Sequence, residues 1–401
     1  MDDGRGGAAA VARVRRLPNA GRGLGQRRDV GPRALDRSVR RRLRRDRVAV
    51  GPSLPRRSTA RAGGDGVIDL ALVWFILIAV LLTGYAVLDG FDLGSGILHL
   101  VVARTDRERG AVLGAIAPVW DGNEVWLLTA GGALFAAFPL VYATVFSGFY
   151  LALVLVLLAL IFRAVSLEVR ETGTSTAWRR GWDVVFSLSS FLVALLLGVA
   201  IGNVLVGLPL DAGGVYRGGL VGLLRPFPLL TGLLAVAMFT MQGAAWLALR
   251  SDGELRTRSR AAGAAAATAF IALWVVVTVA SVNVPTLHDL PLGWGAFVAP
   301  AVVVGASATF LAASRRGADG AAFLSSSLAI VGLLALGALA LFPDVLPATE
   351  AARSLTIRNA ASSDLTLTTM LVIALVGMPL VLAYTIFVYV RFRRMRIEGY
   401  S

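Results

Sequence analysis

From Val67 almost to the C-terminus, apolar runs recur with only short polar breaks between them. Nine candidate spans lie at about 67–88, 112–138, 140–162, 184–206, 228–249, 264–283, 294–313, 321–342 and 366–390. Each approaches the ~20 residues that a helix needs to cross ~30 Å of hydrocarbon. Lipid offers the backbone no hydrogen-bonding partner, so such segments must be helical. A barrel would instead show alternating strands of about ten residues. The expectation is an all-α polytopic membrane protein. Composition agrees: 16% of residues are charged, against about 25% in soluble domains. After Leu88 the chain stays largely apolar to Ala103, which allows one long first helix. The second span holds Pro118, Asp121 and Glu124 and is the least regular.

Several chemistries are excluded outright. The chain has no cysteine, hence no disulfide, thiolate metal site or iron–sulfur cluster. It has no lysine, so neither a Schiff base nor a phosphate-loop lysine can form. His99 and His288 are its only histidines.

The basic charge is concentrated in residues 1–66, which hold 18 arginines against 6 acids. This segment buries too little to fold and is expected to be a disordered tail. It contains no apolar run of signal-peptide length. Among the later loops, arginines cluster on alternate connections, as at Arg104, Arg107 and Arg109, at Arg179 and Arg180, and at Arg315 and Arg316. The positive-inside rule then places those loops and the C-terminus in the cytoplasm and the N-terminus outside. An arginine-rich tail outside conflicts with that rule. The conflict disappears if the working protein begins near Val67, with the upstream residues a mis-assigned start. A tail that lies outside cannot serve as a nucleic-acid arm, so the expected surroundings are membrane lipid and no nucleic acid.

Charge within a span is costly unless it faces protein or water, which makes such residues functional candidates. Two clusters stand out. VLDGFDLGSG places Asp89 and Asp92 three apart on one helix face. APVWDGNEVW places Asp121 and Glu124 at the same spacing, flanked by Trp120 and Trp126. Four carboxyls near the cytoplasmic side suit uptake of protons or of a cation. Close carboxylates in a low dielectric cannot all stay ionised cheaply, so at least one should hold a proton. The structural alternative is that they cap helices or pair with Arg104, Arg107 or Arg163. Asp183 reads as an N-cap of the fourth span, and Asn203 and Gln242 as interhelical hydrogen-bonding groups. Arg163 either snorkels or neutralises the nearby carboxyls. His99 and His288 could each ligate haem iron, although a single histidine is more often packed or solvated.

At these residues the chain resembles subunit II of the cytochrome bd-type quinol oxidases, in the branch that includes cyanide-insensitive oxidases. The likeness covers about 67–396. It rests on LDGFDLG (88–94) and on the long block APVWDGNEVWLLTAGGALFAAFP (117–139). Three shorter pieces follow: SGFY (147–150), FRAV (162–165), and SLTIRNAASS (354–363) with LTL after it. Residues 1–66 and the short tail 397–401 lie outside it.

The resemblance implies nine helices, built as two four-helix bundles plus a peripheral helix, beside a similarly folded subunit I. That partner would carry haems b and d, and the complex would oxidise quinol and reduce oxygen to water while building a proton gradient. It leaves room for a structural quinone and a small accessory subunit, and implies a bacterial plasma-membrane location. By the same resemblance Asp121 belongs to a proton route toward the oxygen site, and Asp92 lies in a similarly constrained polar region. Glu124 stands where relatives can carry glutamine. The competing class is a proton- or cation-coupled transporter using the same carboxylates as its ion site.

Overall fold

The computed structural model describes residues 69–287 and 295–392. The expectations for the tail 1–66, for His288 and for residues 397–401 fall outside the described residues. Within them the chain forms eleven α-helices and one small β-ribbon. In chain order the helices are α1 (Leu70–Val102), α2 (Asp106–Ile116), α3 (Trp120–Ala137), α4 (Pro139–Gly148), α5 (Tyr150–Val169) and α6 (Thr176–Val206). They continue as α7 (Pro226–Arg250), α8 (Gly253–Ser281), α9 (Gly295–Arg315), α10 (Asp319–Leu341) and α11 (Asp364–Phe392).

Eight of these are long and apolar enough to cross a membrane: α1 and α5 through α11. The expected span 112–138 is corrected to two helices. Pro118 cannot donate to a continuing helix, so α2 stops at Ile116 and α3 starts at Trp120. The polar first turns of α3, with Asp121, Asn123 and Glu124, keep it out of the eight. The expected span 140–162 is likewise divided. Pro139 opens α4, Phe149 leaves helical geometry, and α5 then runs on to Val169. At that break Gly148 lies so close to Tyr216 that a Cβ there would meet the Tyr216 Cβ at 2.9 Å. The first helix is indeed single and long. The Asp69 carboxylate caps its N-terminus by accepting from the amides of Ala71 and Leu72.

The helices form two groups. In the first, α1 packs on α3 and α6, and α5 on α6; in the second, α7 packs on α8 and α10, and α9 on α8 and α10. The helix α11 lies outside both, against α3 and α1. This is the expected pair of four-helix bundles with a peripheral helix. The bundles meet where α1 and α6 both pack on α7, and glycine makes the α1 crossing possible. A Cβ on Gly94 would stand 1.8 Å from the Phe239 carbonyl oxygen, and one on Gly243 would stand 2.2 Å from the Gly94 carbonyl carbon. The second glycine of the GFDLG motif, Gly94, therefore sets the distance between two backbones.

The motif SLTIRNAASS also has a local structural explanation. β1 (Asp344–Leu346) pairs antiparallel with β2 (Leu355–Thr356). Ser354 Oγ accepts from the Ala348 amide, and Asn359 bridges the Thr356 amide and the Ser354 carbonyl. The Ser362 amide donates to the Ala137 carbonyl at the end of α3. The segment is a self-braced loop that ties α11 to α3.

Candidate functional site

The carboxylates of LDGFDLG lie deep in the first bundle. Asp89 and Asp92 are fully buried on α1, and the Arg163 side chain of α5 is fully buried between them and α3. One guanidinium serves two helices. Its Nη2 donates to Asp89 Oδ1 at 2.8 Å and its Nη1 to Glu124 Oε1 at 2.7 Å. Nη2 also stands 3.8 Å from Asp92 Oδ2. Glu124 is the one acid of this group with partial access, its side chain being 23% exposed.

Asn123 supplies the remaining contact of Asp92. Its Nδ2 donates to Asp92 Oδ2 at 2.7 Å and to the Leu88 carbonyl at 3.3 Å. The Tyr389 hydroxyl of α11 in turn donates to Asn123 Oδ1 at 3.0 Å. Around this group, Asp89 Oδ2, Asp92 Oδ1, Arg163 Nε, Ser95 Oγ and the Tyr85 hydroxyl are buried without a hydrogen-bond partner among the described residues. A buried ion cluster with excess carboxylate and unpartnered oxygens can accept protons.

Of the four acids singled out from sequence, the fold gathers Asp89, Asp92 and Glu124. Asp121 stands apart, exposed in the first turn of α3, with no hydrogen bond or ion pair among the described residues. Arg163 neutralises the carboxyls rather than snorkelling. Gln242 links helices as expected, donating to the Val87 carbonyl of α1 and to Ser327 of α10. Asn203 likewise accepts from Arg225 and donates to the Leu223 carbonyl.

Asp183 requires a correction. It is not an N-cap: α6 begins at Thr176, capped by Ser175, and Asp183 lies two turns inside and buried. Its Oδ1 is shared by His99 Nε2 at 2.7 Å and Arg170 Nε at 2.6 Å. Arg170 continues to Asp106, which also accepts from Arg179 at 2.8 Å. Partial burial acts to raise the Asp106 carboxyl, but the Arg170 and Arg179 guanidiniums outweigh it and hold the group below the usual carboxylate range. Sequence reading missed this network because the polar turns from Thr176 to Trp182 hide the start of α6 from an apolar window. Tyr389 was missed because nothing marks one tyrosine in an apolar helix.

Among the described residues His99 is the one histidine, its Nε2 engaged by Asp183 and its ring edge-on to Phe186 at 5.4 Å. No cluster of acids and histidines among the described residues could hold a metal ion.

Comparison with known proteins gives a consistent picture. Residues 70–392 match the family described as cytochrome bd terminal oxidase subunit II. Cytochrome bd-I ubiquinol oxidase subunit 2 of Escherichia coli K12 is 38% identical over 356 residues, covering 80% of this chain and 93% of that protein. Cytochrome bd ubiquinol oxidase subunit 2 of Bacillus subtilis is 32% identical over 326 residues, covering 80% and 95%. The fold matches a chain of the bd oxidase from Geobacillus thermodenitrificans with a TM-score of 0.68 at 15% identity, covering 82% of this chain and all of the other. The transporter reading finds no support in these relatives. A multi-pass chain whose motifs, fold and sequence all converge in this way belongs to the cytochrome bd terminal oxidase subunit II family, as a subunit of a membrane quinol oxidase complex.

Proposed function

We propose that Asp89, Asp92 and Glu124 form a proton-uptake station of the oxidase, opening to the cytoplasm, and that Asp121 carries the route on toward a haem-bearing subunit I. The observation that carries this reading is the charge count at Arg163: three carboxyls meet one buried guanidinium. An apolar interior does not tolerate two uncompensated negative charges, so the cluster takes up protons to balance itself. Glu124, partly exposed, is the point of entry, and Asp92 is the buried acceptor.

Asp121 faces outward together with Gly122, Val125, Leu128, Gly132 and Phe135 on α3. A carboxylate facing lipid costs several kcal/mol, whereas small residues beside it allow another helix to approach closely. That face suits subunit I, which in this reading holds haems b and d and reduces oxygen with electrons from quinol. The arginine-rich loops then lie in the cytoplasm with the C-terminus, and the working domain spans about 67–396.

The test uses the assembled complex in proteoliposomes. Asp92→Asn and Asp121→Asn should retain haem content while slowing oxygen consumption and the linked proton uptake together. Wild-type rates for both variants, at full haem content, would overturn the reading.

A further inference from the structure

Beyond Leu367 no residue of α11 up to Arg391 is buried, yet the Tyr389 side chain near its end reaches inward. The Tyr389 ring stands 6.3 Å edge-on from Trp246 and its hydroxyl meets Asn123. The direction of each hydrogen bond in this chain is fixed. The Leu88 carbonyl can only accept, so the Asn123 Nδ2 faces it and, with it, Asp92 Oδ2. Asn123 Oδ1 must then point to Tyr389, and the tyrosine hydroxyl is the donor. Two hydrogen bonds aligned in this way reinforce each other.

The arrangement makes the two oxygens of Asp92 unequal. Oδ2 accepts from Asn123 and faces Arg163. Oδ1 is buried with no partner among the described residues. We propose that Tyr389 is a positioning residue for Asp92: by holding the Asn123 amide in one orientation, it keeps Oδ2 as an acceptor and leaves Oδ1 to take up and release the transported proton. In the step itself an O–H bond forms at Oδ1 as an O–H bond of a hydronium ion breaks, leaving water. The same bond breaks when the proton moves on, and nothing is oxidised or reduced. This inference rests on the proton-route reading above and adds the residue on α11 that controls it.

The test is Tyr389→Phe in the assembled two-subunit complex. This substitution keeps the ring against Trp246 and removes only the hydroxyl. Redox-difference infrared spectra assign the Asp92 carboxyl band by its loss in Asp92→Asn. In Tyr389→Phe that band should move, at unchanged haem content, and turnover should fall by about fivefold, the weight of one lost hydrogen bond. Added to Asp92→Asn, the same substitution should cause no further loss. A purely anchoring tyrosine would leave the band in place and would slow both backgrounds equally, and either result overturns the proposal. If Tyr389→Phe does not assemble, the band is read with 3-fluorotyrosine placed at position 389, which keeps the ring and alters only the donor strength of the hydroxyl; it must move for the proposal to stand. Wild-type rates in both Asp92→Asn and Asp121→Asn would overturn the proton route itself, whereas a wild-type rate in Asp92→Asn alone removes Asp92 from it and overturns this proposal. A band lost in Asp92→Asn but unmoved in Tyr389→Phe overturns only the role of Tyr389.

Discussion

Arg163 Nη2 lies 2.8 Å from Asp89 Oδ1, and both side chains are completely buried. That pair joins α5 to α1, and through Nη1 the same guanidinium reaches Glu124 on α3. A planar cation with several fixed donors can hold carboxylates from two directions, which a lysine ammonium on a flexible stem does less well. The cluster therefore has a structural task as well as a proposed chemical one: three helices of the first bundle are joined at a single side chain.

Arg163→Gln should consequently fail at assembly before it fails at catalysis. Removing one partner of a buried ion pair costs about 3–5 kcal/mol, because the remaining charges lose their compensation. We expect a sharp fall in the yield of haem-containing complex and in its thermal midpoint. Arg163→Lys should recover part of both. A glutamine variant that assembles with a wild-type midpoint would show that the carboxyls are neutral without the arginine.

Gly94→Ala is expected to be as damaging, for a different reason. The added methyl would overlap the Phe239 carbonyl oxygen at 1.8 Å, and that neighbour is backbone and cannot turn aside. The α1–α7 crossing must then widen, at a cost on the order of 1–3 kcal/mol or more for an overpacked site. The control is Gly131→Ala, where a Cβ meets nothing within 4 Å. The thermal midpoints of the two variant complexes decide the matter.

Much of this fold is legible in the sequence because a membrane removes choices. Once lipid forbids an unsatisfied backbone, each apolar run becomes a helix, and boundaries are lost mainly where polar residues begin a span. Pro118 and Phe149 divided helices that hydropathy alone would join, and α6 began two turns before its apolar stretch did. The acids of the site were visible as charges in the wrong solvent. Which of them meet was not visible, because Asp121 and Glu124 lie less than one turn apart on α3 yet only Glu124 reaches Arg163, while Asp121 stays exposed. Asp183 was legible as an acid but not as the centre of a network, since His99 and Arg170 reach it from other elements and Asp106 joins only through Arg170.

That second network should give the complex an acid-sensitive limb. Asp106 titrates below its usual value of about 3.9 in the folded chain. A depressed carboxyl stabilises the fold fully above its unfolded pKa and loses that contribution as pH falls through the folded one. Asp106→Asn should therefore lower the thermal midpoint at neutral pH, modestly because the carboxyl is half exposed. The gap between variant and wild type should close on acidification below about pH 4. A gap that is constant with pH would mean that the ion pairs with Arg170 and Arg179 contribute nothing.

The outward face of α3 offers the most direct test of where subunit I sits. Gly122 and Gly132 each have open space where a side chain would be, with nothing of this chain within 4 Å. Inside this subunit a larger residue there is harmless, so Gly132→Leu should leave the fold of the chain unchanged. If α3 packs against the partner, the same leucine intrudes where two backbones approach closely. The cost would fall on association alone, as loss of the partner on size-exclusion chromatography in mild detergent. The comparison is Leu380→Ala on α11, a side chain 68% exposed in this chain, which should retain the partner. Retention of subunit I by Gly132→Leu, with the complex at wild-type stability, would move the interface away from α3. Asp121 would then need some other protein surface or water to cover it.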